Sequence, residues 1–251
     1  MLTVPRLQTA LVLFHLAALS VGWLLGWEAG LLAMAGVHLP LLAITLWTGS
    51  TPFCLALQSC PIPGRSIVLT IDDGPCADTP GMLAILAQYQ AKAVFFVIGQ
   101  RAASHPEWIH QITSAGHEVA NHTLTHPAGQ FWAWGPTAQR WEISETNRIL
   151  TEAAGHSPAW FRAPAGYRNP FTGAILQELG LQYLGWSRRA FDTRRSDVAK
   201  MVKRLCHRLQ PGAVLLIHQG HPHSIKLLEE LLKTLAAENW ITHLPAGTDK
   251  S

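Results

Sequence analysis

Two adjacent carboxylates close an apolar run in Thr70-Ile71-Asp72-Asp73-Gly74-Pro75, and a glycine-proline turn follows them. Successive strand residues point to opposite faces, so Asp72 and Asp73 are suited to two tasks rather than one. Further on, Asn121-His122-Thr123-Leu124-Thr125-His126 places two imidazoles at i and i+4. On a helical or turned backbone both face the same way, a spacing that suits one metal ion. In a chain with 13 histidines a lone pair is usually bland. With Asp73 the set becomes an Asp-His-His triad, which suits Zn²⁺ or a similar divalent metal. Three more chemical groups stand near the ends of apolar runs: Arg162 in Phe161-Arg162-Ala163-Pro164-Ala165-Gly166, Asp192 after Arg188-Arg189-Ala190-Phe191, and His218 after Leu215-Leu216-Ile217.

The elements that must carry these groups alternate in type. Strands are predicted at 66–71, 93–98, 118–120, 160–162, 182–186, 213–218 and 240–244, and helices at 80–89, 137–153, 196–209 and 224–237. Strand and helix in alternation mean βαβ units and a parallel sheet. About seven such units in a domain spanning 65–251 predict an α/β fold, a small or incomplete (β/α) barrel with chemistry at the carboxyl ends of its strands.

Charge is sparse at 14% of residues, and the first 60 residues hold only Arg6 and Glu28. Leu7–Trp27 and Ala29–Trp47 are each near the roughly 20 apolar residues that cross a bilayer. The expectation is a transmembrane hairpin within 1–50 and a linker at 51–64, which excludes a disordered, collagen-like or disulfide-scaffold chain. Two apolar runs are one too many for a signal peptide, and the degenerate lipoprotein box Leu57-Gln58-Ser59-Cys60 lies too far inward. A hairpin returns the chain to its starting side. Arg6 and Arg65 flank it with no basic group in the turn, which places the domain in the cytoplasm. Cys54, Cys60, Cys76 and Cys206 form no metal-type C-x-x-C pair and suit a reducing compartment; in a periplasmic domain Cys54 and Cys60 could pair. A net charge of +3 is too mild to argue for nucleic acid.

Taken in order, the five motifs resemble those of the polysaccharide deacetylase family, the NodB-homology or carbohydrate esterase family 4 enzymes, over roughly 66–244. The resemblance implies a distorted (β/α) barrel that hydrolyses the N-acetyl, sometimes N-formyl, amide of an amino sugar with one divalent metal: Zn²⁺, or Co²⁺, Ni²⁺ or Mn²⁺. It implies Asp72 as general base and Asp73, His122 and His126 as metal ligands. Arg162 would hold Asp72, His218 would be the general acid, Asp192 would tune it, and Leu216 and Pro164 would stand on the substrate side. Ala163 and Ala165 replace the usual proline and aromatic, no tryptophan follows Asp192, and Gln219 stands where an acidic residue is common, all of which argues against a long glycan groove.

Arg188, Arg189, Arg194 and Arg195 crowd one loop, and arginine's planar fork suits phosphate oxygens. A solvated face or contact with anionic headgroups is the plain alternative. With a membrane tether, Arg194 and Arg195 point to a polyprenyl-phosphate-linked amino sugar as substrate. This is similar to the family branch that deacylates such sugars before their transfer to lipid A at the bacterial inner membrane. The other readings are a periplasmic deacetylase of peptidoglycan or exopolysaccharide, and a catalytically silent glycan-binding membrane protein. Trp132, Trp134 and Trp141 belong to a lid, to a membrane-facing surface or to packing.

Overall fold

A computed structural model describes residues 3–47, 53–194 and 197–246. Two apolar helices, α1 (Val4–Leu25) and α2 (Trp27–Leu46), run antiparallel from the turn at Gly26, whose φ of 99° favours glycine. Near the turn the backbones meet: a Cβ on Gly30 would lie 2.8 Å from the Gly22 Cα. His15 and His38 sit ring to ring at 5.1 Å, and each ring bonds a carbonyl one turn back, Leu11 and Met34. Most of the apolar surface of the pair is exposed, as on helices that span a membrane or form a signal sequence.

The remainder is a curled, parallel half-barrel. Its strands are β1 (Ala56–Leu57), β2 (Ser66–Gly74), β3 (Ala93–Val97), β4 (Glu118–Asn121), β5 (Trp160–Phe161), β6 (Gln182–Leu184), β7 (Arg188–Arg189) and β8 (Val214–His218), in the order β1-β6-β5-β4-β3-β2-β8-β7, and β9 (Ile241–Thr242) pairs with β2. Alternation along β2 sends Ile67, Leu69 and Ile71 outward, into a core shared with α3 (Thr79–Gln88), α8 (Val198–Cys206) and α9 (Ser224–Ala237). Val68 turns inward among Val94, Phe96, Ala120, Trp160 and Val214. Helix α6 (Pro136–Ala154) has Pro136 in its first turn and stops at Gly155, with φ of 79°. Helices α4 (Gly99–Ser104), α5 (Pro106–Ser114) and α7 (Thr172–Glu178) complete the cover. All three went unread in the sequence because each is shorter than the ten or so residues over which apolar periodicity stands out.

Two expectations need correction. The segment 51–64 is not simply a linker from Phe53 onward. Ala56 and Leu57 pair with Tyr183 and Leu184, Cys54 and Cys60 are buried, and Ser59 bridges Ala213 across the barrel's gap. Arg188 and Arg189 are not loop residues but an edge strand, paired with Leu215 and Leu216. The run around β1 shows no alternation and β7 consists of two charged residues, so neither carries an apolar strand pattern in the sequence. The four cysteines are free.

Candidate active site

Strand register brings the chemical groups to one level. Asp72 is the Cα partner of His218 across β2 and β8, and Asn121, just before His122, is paired with Val97 on one side and Phe161 on the other. The expected alternation of Asp72 and Asp73 does not hold. The β2–β3 register shifts between Ile71 and Gly74, and Asp73 takes a φ of 67°. This irregularity turns Asp73 toward the same site as Asp72. Arg101 donates to the Asp73 carbonyl, and the side chain of Gln219 fills the space where a Cβ on Gly74 would stand, so any larger residue at 74 would displace Gln219.

Asp73 Oδ1 lies 3.2 Å from His126 Nε2 and 3.4 Å from His122 Nε2, with Asp72 Oδ2 3.7 Å from His122 Nε2. His122 Nδ1 is 2.8 Å from the carbonyl oxygen of Arg162. A carbonyl only accepts, so Nδ1 carries the proton and Nε2 is left with its lone pair toward the aspartates. Burial pushes His126 down to about 4 and keeps it neutral at pH 7, as a ligand nitrogen requires. Burial alone would raise Asp73, but any proton taken up at His122 or His126, and the charged form of His218, lies against its carboxylate, so the group is held well below the usual carboxylate range and stays ionised beside neutral ligand imidazoles at pH 7. One carboxylate oxygen and two imidazole nitrogens within 4.8 Å of one another form a donor set that fits a divalent cation.

The loop that carries the histidines is turned rather than helical, with Thr123 at φ 67° and His126 at φ 56°. Glu142, fully buried on α6, clamps it by accepting from the backbone N–H of Leu124 and Thr125 and from Thr125 Oγ1 at 2.7–2.9 Å. Sequence reasoning missed Glu142. Its signal was a carboxylate at i, i+4 and i+8 with Thr146 and Leu150, on the helix face that had to be buried.

Behind the pocket, Arg162 has no exposed surface. It donates from Nη1 to Asp72 Oδ1 at 2.7 Å and to Thr70 Oγ1 at 2.8 Å, from Nε to Leu184 O at 2.9 Å, and from Nη2 to Gly185 O at 2.6 Å. Asp192 accepts from the His218 backbone N–H and from Nδ1, both at 2.7 Å. Burial would lower His218, but this bond, the Asp192 charge and the more distant Asp72 and Asp73 hold it above the ordinary histidine value.

Asp72, Asp73, His122, His126, Leu216 and His218 line one pocket, with Ala128, Ala163, Ala165, Gly166, Trp186, Arg189 and Thr193 completing its wall. Pro164 is buried, and its neighbours face the pocket instead. Arg194 is exposed and stands outside the lining, whereas Arg189 belongs to it; Arg195 lies outside the described residues.

Comparison with known proteins bears on this geometry. A family model described as polysaccharide deacetylase matches residues 61–184. The chain is 37% identical over 162 residues to a chitooligosaccharide deacetylase of Bradyrhizobium sp. (strain ANU 289), covering 63% of this chain and 72% of that protein. It is 28% identical to a peptidoglycan-N-acetylglucosamine deacetylase of Listeria monocytogenes, covering 70% of this chain and 37% of that one. The solved structure of a family 4 carbohydrate esterase from Streptomyces lividans in complex with acetate superposes with a TM-score of 0.68 at 28% identity, over 76% of this chain and 96% of the other. A strand-end pocket with this donor set, on this barrel and with these relatives, places the chain in the polysaccharide deacetylase family of carbohydrate N-deacetylases.

Proposed function

We propose that the chain is a membrane-tethered, metal-dependent N-deacetylase acting on an N-acetylated or N-formylated hexosamine carried on a polyprenyl phosphate, in the modification of lipid A or an envelope glycan. Asp73, His122 and His126 would hold one divalent ion, Zn²⁺ being the best match to a carboxylate and two imidazoles and Co²⁺, Ni²⁺ or Mn²⁺ the alternatives. When bound, such an ion polarises an amide carbonyl and acidifies water. The chain's own groups supply the proton transfers. Asp72, with Oδ1 held by Arg162 and Oδ2 facing the histidines, takes the proton of the attacking water. The water oxygen bonds to the acyl carbon, the C–N bond breaks, and His218 delivers a proton to the departing amine, which is a poor leaving group without one. Asp192 fixes the His218 ring and favours its charged form. Leu216, on the pocket wall, takes the acyl methyl.

The observation that carries this reading is the meeting of Asp72, Asp73, His122, His126 and His218 in one pocket. The lipid-borne substrate is supported by the foot of the hairpin. Val4 is buried, with Leu7 beside it, in the same apolar cluster as Phe131 and Ala163, and Ala163 lines the pocket. The foot of α1 therefore packs into an apolar cluster that also reaches the pocket wall. Arg6 and Arg65, with four free cysteines, support a domain on the cytoplasmic face of the inner membrane. A second reading, a deacetylase of oligomeric or polymeric N-acetylglucosamine on the outer side, is favoured by the substrates for which the relatives are named.

Acetate release by the metal-loaded protein in detergent separates the two. Faster release from polyprenyl-phosphate-N-acetylhexosamine than from a chitin oligomer is expected. Release from the oligomer alone would establish the second reading and make the hairpin a simple anchor.

A further inference from the structure

Among the described residues, Arg189 is a cation in the wall of the active-site pocket without an ion-pair partner. Its strand partner is Leu216, so the backbone of β7 holds it level with the reacting groups. Its guanidinium carbon lies 4.3 Å from the centre of the Phe191 ring and 5.6 Å from that of Trp186, and these aromatic contacts restrain the planar head. Among the described residues it makes no ion pair and no side-chain hydrogen bond, and its buried Nε has no partner. Nearby arginines are engaged: Arg188 donates to Arg208 O, Arg204 to Ala190 O and Arg162 to Asp72. The nearest carboxylates are already committed, Asp192 to His218 and Asp72 to Arg162. A buried guanidinium nitrogen left unpaired costs free energy, and a ligand oxyanion seated on the fork offsets that cost.

Resting on the deacetylase reading above, we propose that Arg189 is a specificity residue that binds a phosphate ester on the amino-sugar substrate. Its donors form a fixed fork matched to two phosphate oxygens, and the pocket places that fork next to the site of amide cleavage. This assigns phosphate recognition to an edge-strand arginine inside the pocket rather than to exposed Arg194.

The test compares wild type with Arg189→Gln and Arg189→Lys on N-acetylglucosamine 1-phosphate, polyprenyl-phosphate-N-acetylglucosamine and neutral chitotriose. For Arg189→Gln, the ratio of kcat/KM on the phosphate-bearing sugars to that on chitotriose is expected to fall at least about tenfold, mostly through KM, with partial recovery in Arg189→Lys. A fall on both phosphate substrates assigns the contact to the phosphate itself, and a fall on the polyprenyl substrate alone assigns it to the lipid-borne headgroup. Calorimetry of glucosamine 1-phosphate against glucosamine on the metal-loaded protein reads the same contact without turnover, and weaker binding of the phosphate sugar alone is expected in the variant. An unchanged ratio with unchanged binding would overturn the assignment while leaving the deacetylase reading intact. Absence of acetate release from all three substrates by wild type would overturn the deacetylase reading instead.

Discussion

Asp72 and Asp73 are neighbours in the chain with different partners: the first is held by Arg162, the second stands against His122 and His126. If Asp72 is the base, Asp72→Asn lowers kcat by about 10²–10⁴-fold while metal content, measured by elemental analysis, stays at the wild-type level. His218 offers a prediction in pH. As an acid it works only while protonated, so activity is present below its raised value and lost as pH climbs through it. Asp192→Asn removes the bond and charge that raise it and leaves burial, which lowers it. The alkaline limb of kcat/KM is expected to move to lower pH, and a limb that stays in place would contradict the role. Asp72, Asp73, His122, His126, Arg162, Asp192 and His218 were legible in the sequence because each stands at or near the end of an apolar run. Glu142 and Trp186 were not, because they reach the site through tertiary packing, and Arg189 was visible only as one of four clustered arginines, its place in the pocket wall being set by an edge strand too short to show a pattern.

At the scale of elements, the long strands and helices matched their hydrophobic periods, whereas β1 and β7 exist only through their neighbours. Local sequence also cannot reveal that β2 is irregular at Asp73, whose carbonyl accepts from Arg101 and whose neighbour Gly74 packs against Gln219, both partners distant in sequence. The entry to β4 carries a titratable liability. Burial pushes Glu118 up to about 7 from an ordinary 4.5. The folded state thus holds this proton more tightly than the unfolded one, so stability is greatest below the unfolded value and falls as pH rises to about 7. Glu118→Gln removes the penalty. It is expected to stabilise the domain by about 1–3 kcal/mol at pH 8, raising Tm by about 2–8 °C, with little change at pH 4. An equal shift at both pH values would point to packing instead.

In the whole molecule, the hairpin and the barrel meet at Val4 and Leu7, in the cluster that contains Ala163 of the pocket wall. The apolar spans were plain in the sequence, but their contact with the domain was not, because it joins residues far apart in the chain. If this foot presents a lipid-borne substrate, Val4→Asp should lower kcat/KM on the polyprenyl-linked sugar by about tenfold through misplacement of the site, with a smaller loss on chitotriose. Equal losses on both would reduce the contact to a structural one. The proposed activity depends most on metal binding by Asp73, His122 and His126. The most direct measurement is acetate release by full-length protein, after chelation and readdition of Zn²⁺, for wild type and His122→Ala side by side. Release that is lost on chelation, restored by the metal and absent from His122→Ala is the expected result. Release that survives chelation, or that His122→Ala sustains at the wild-type rate, would contradict it.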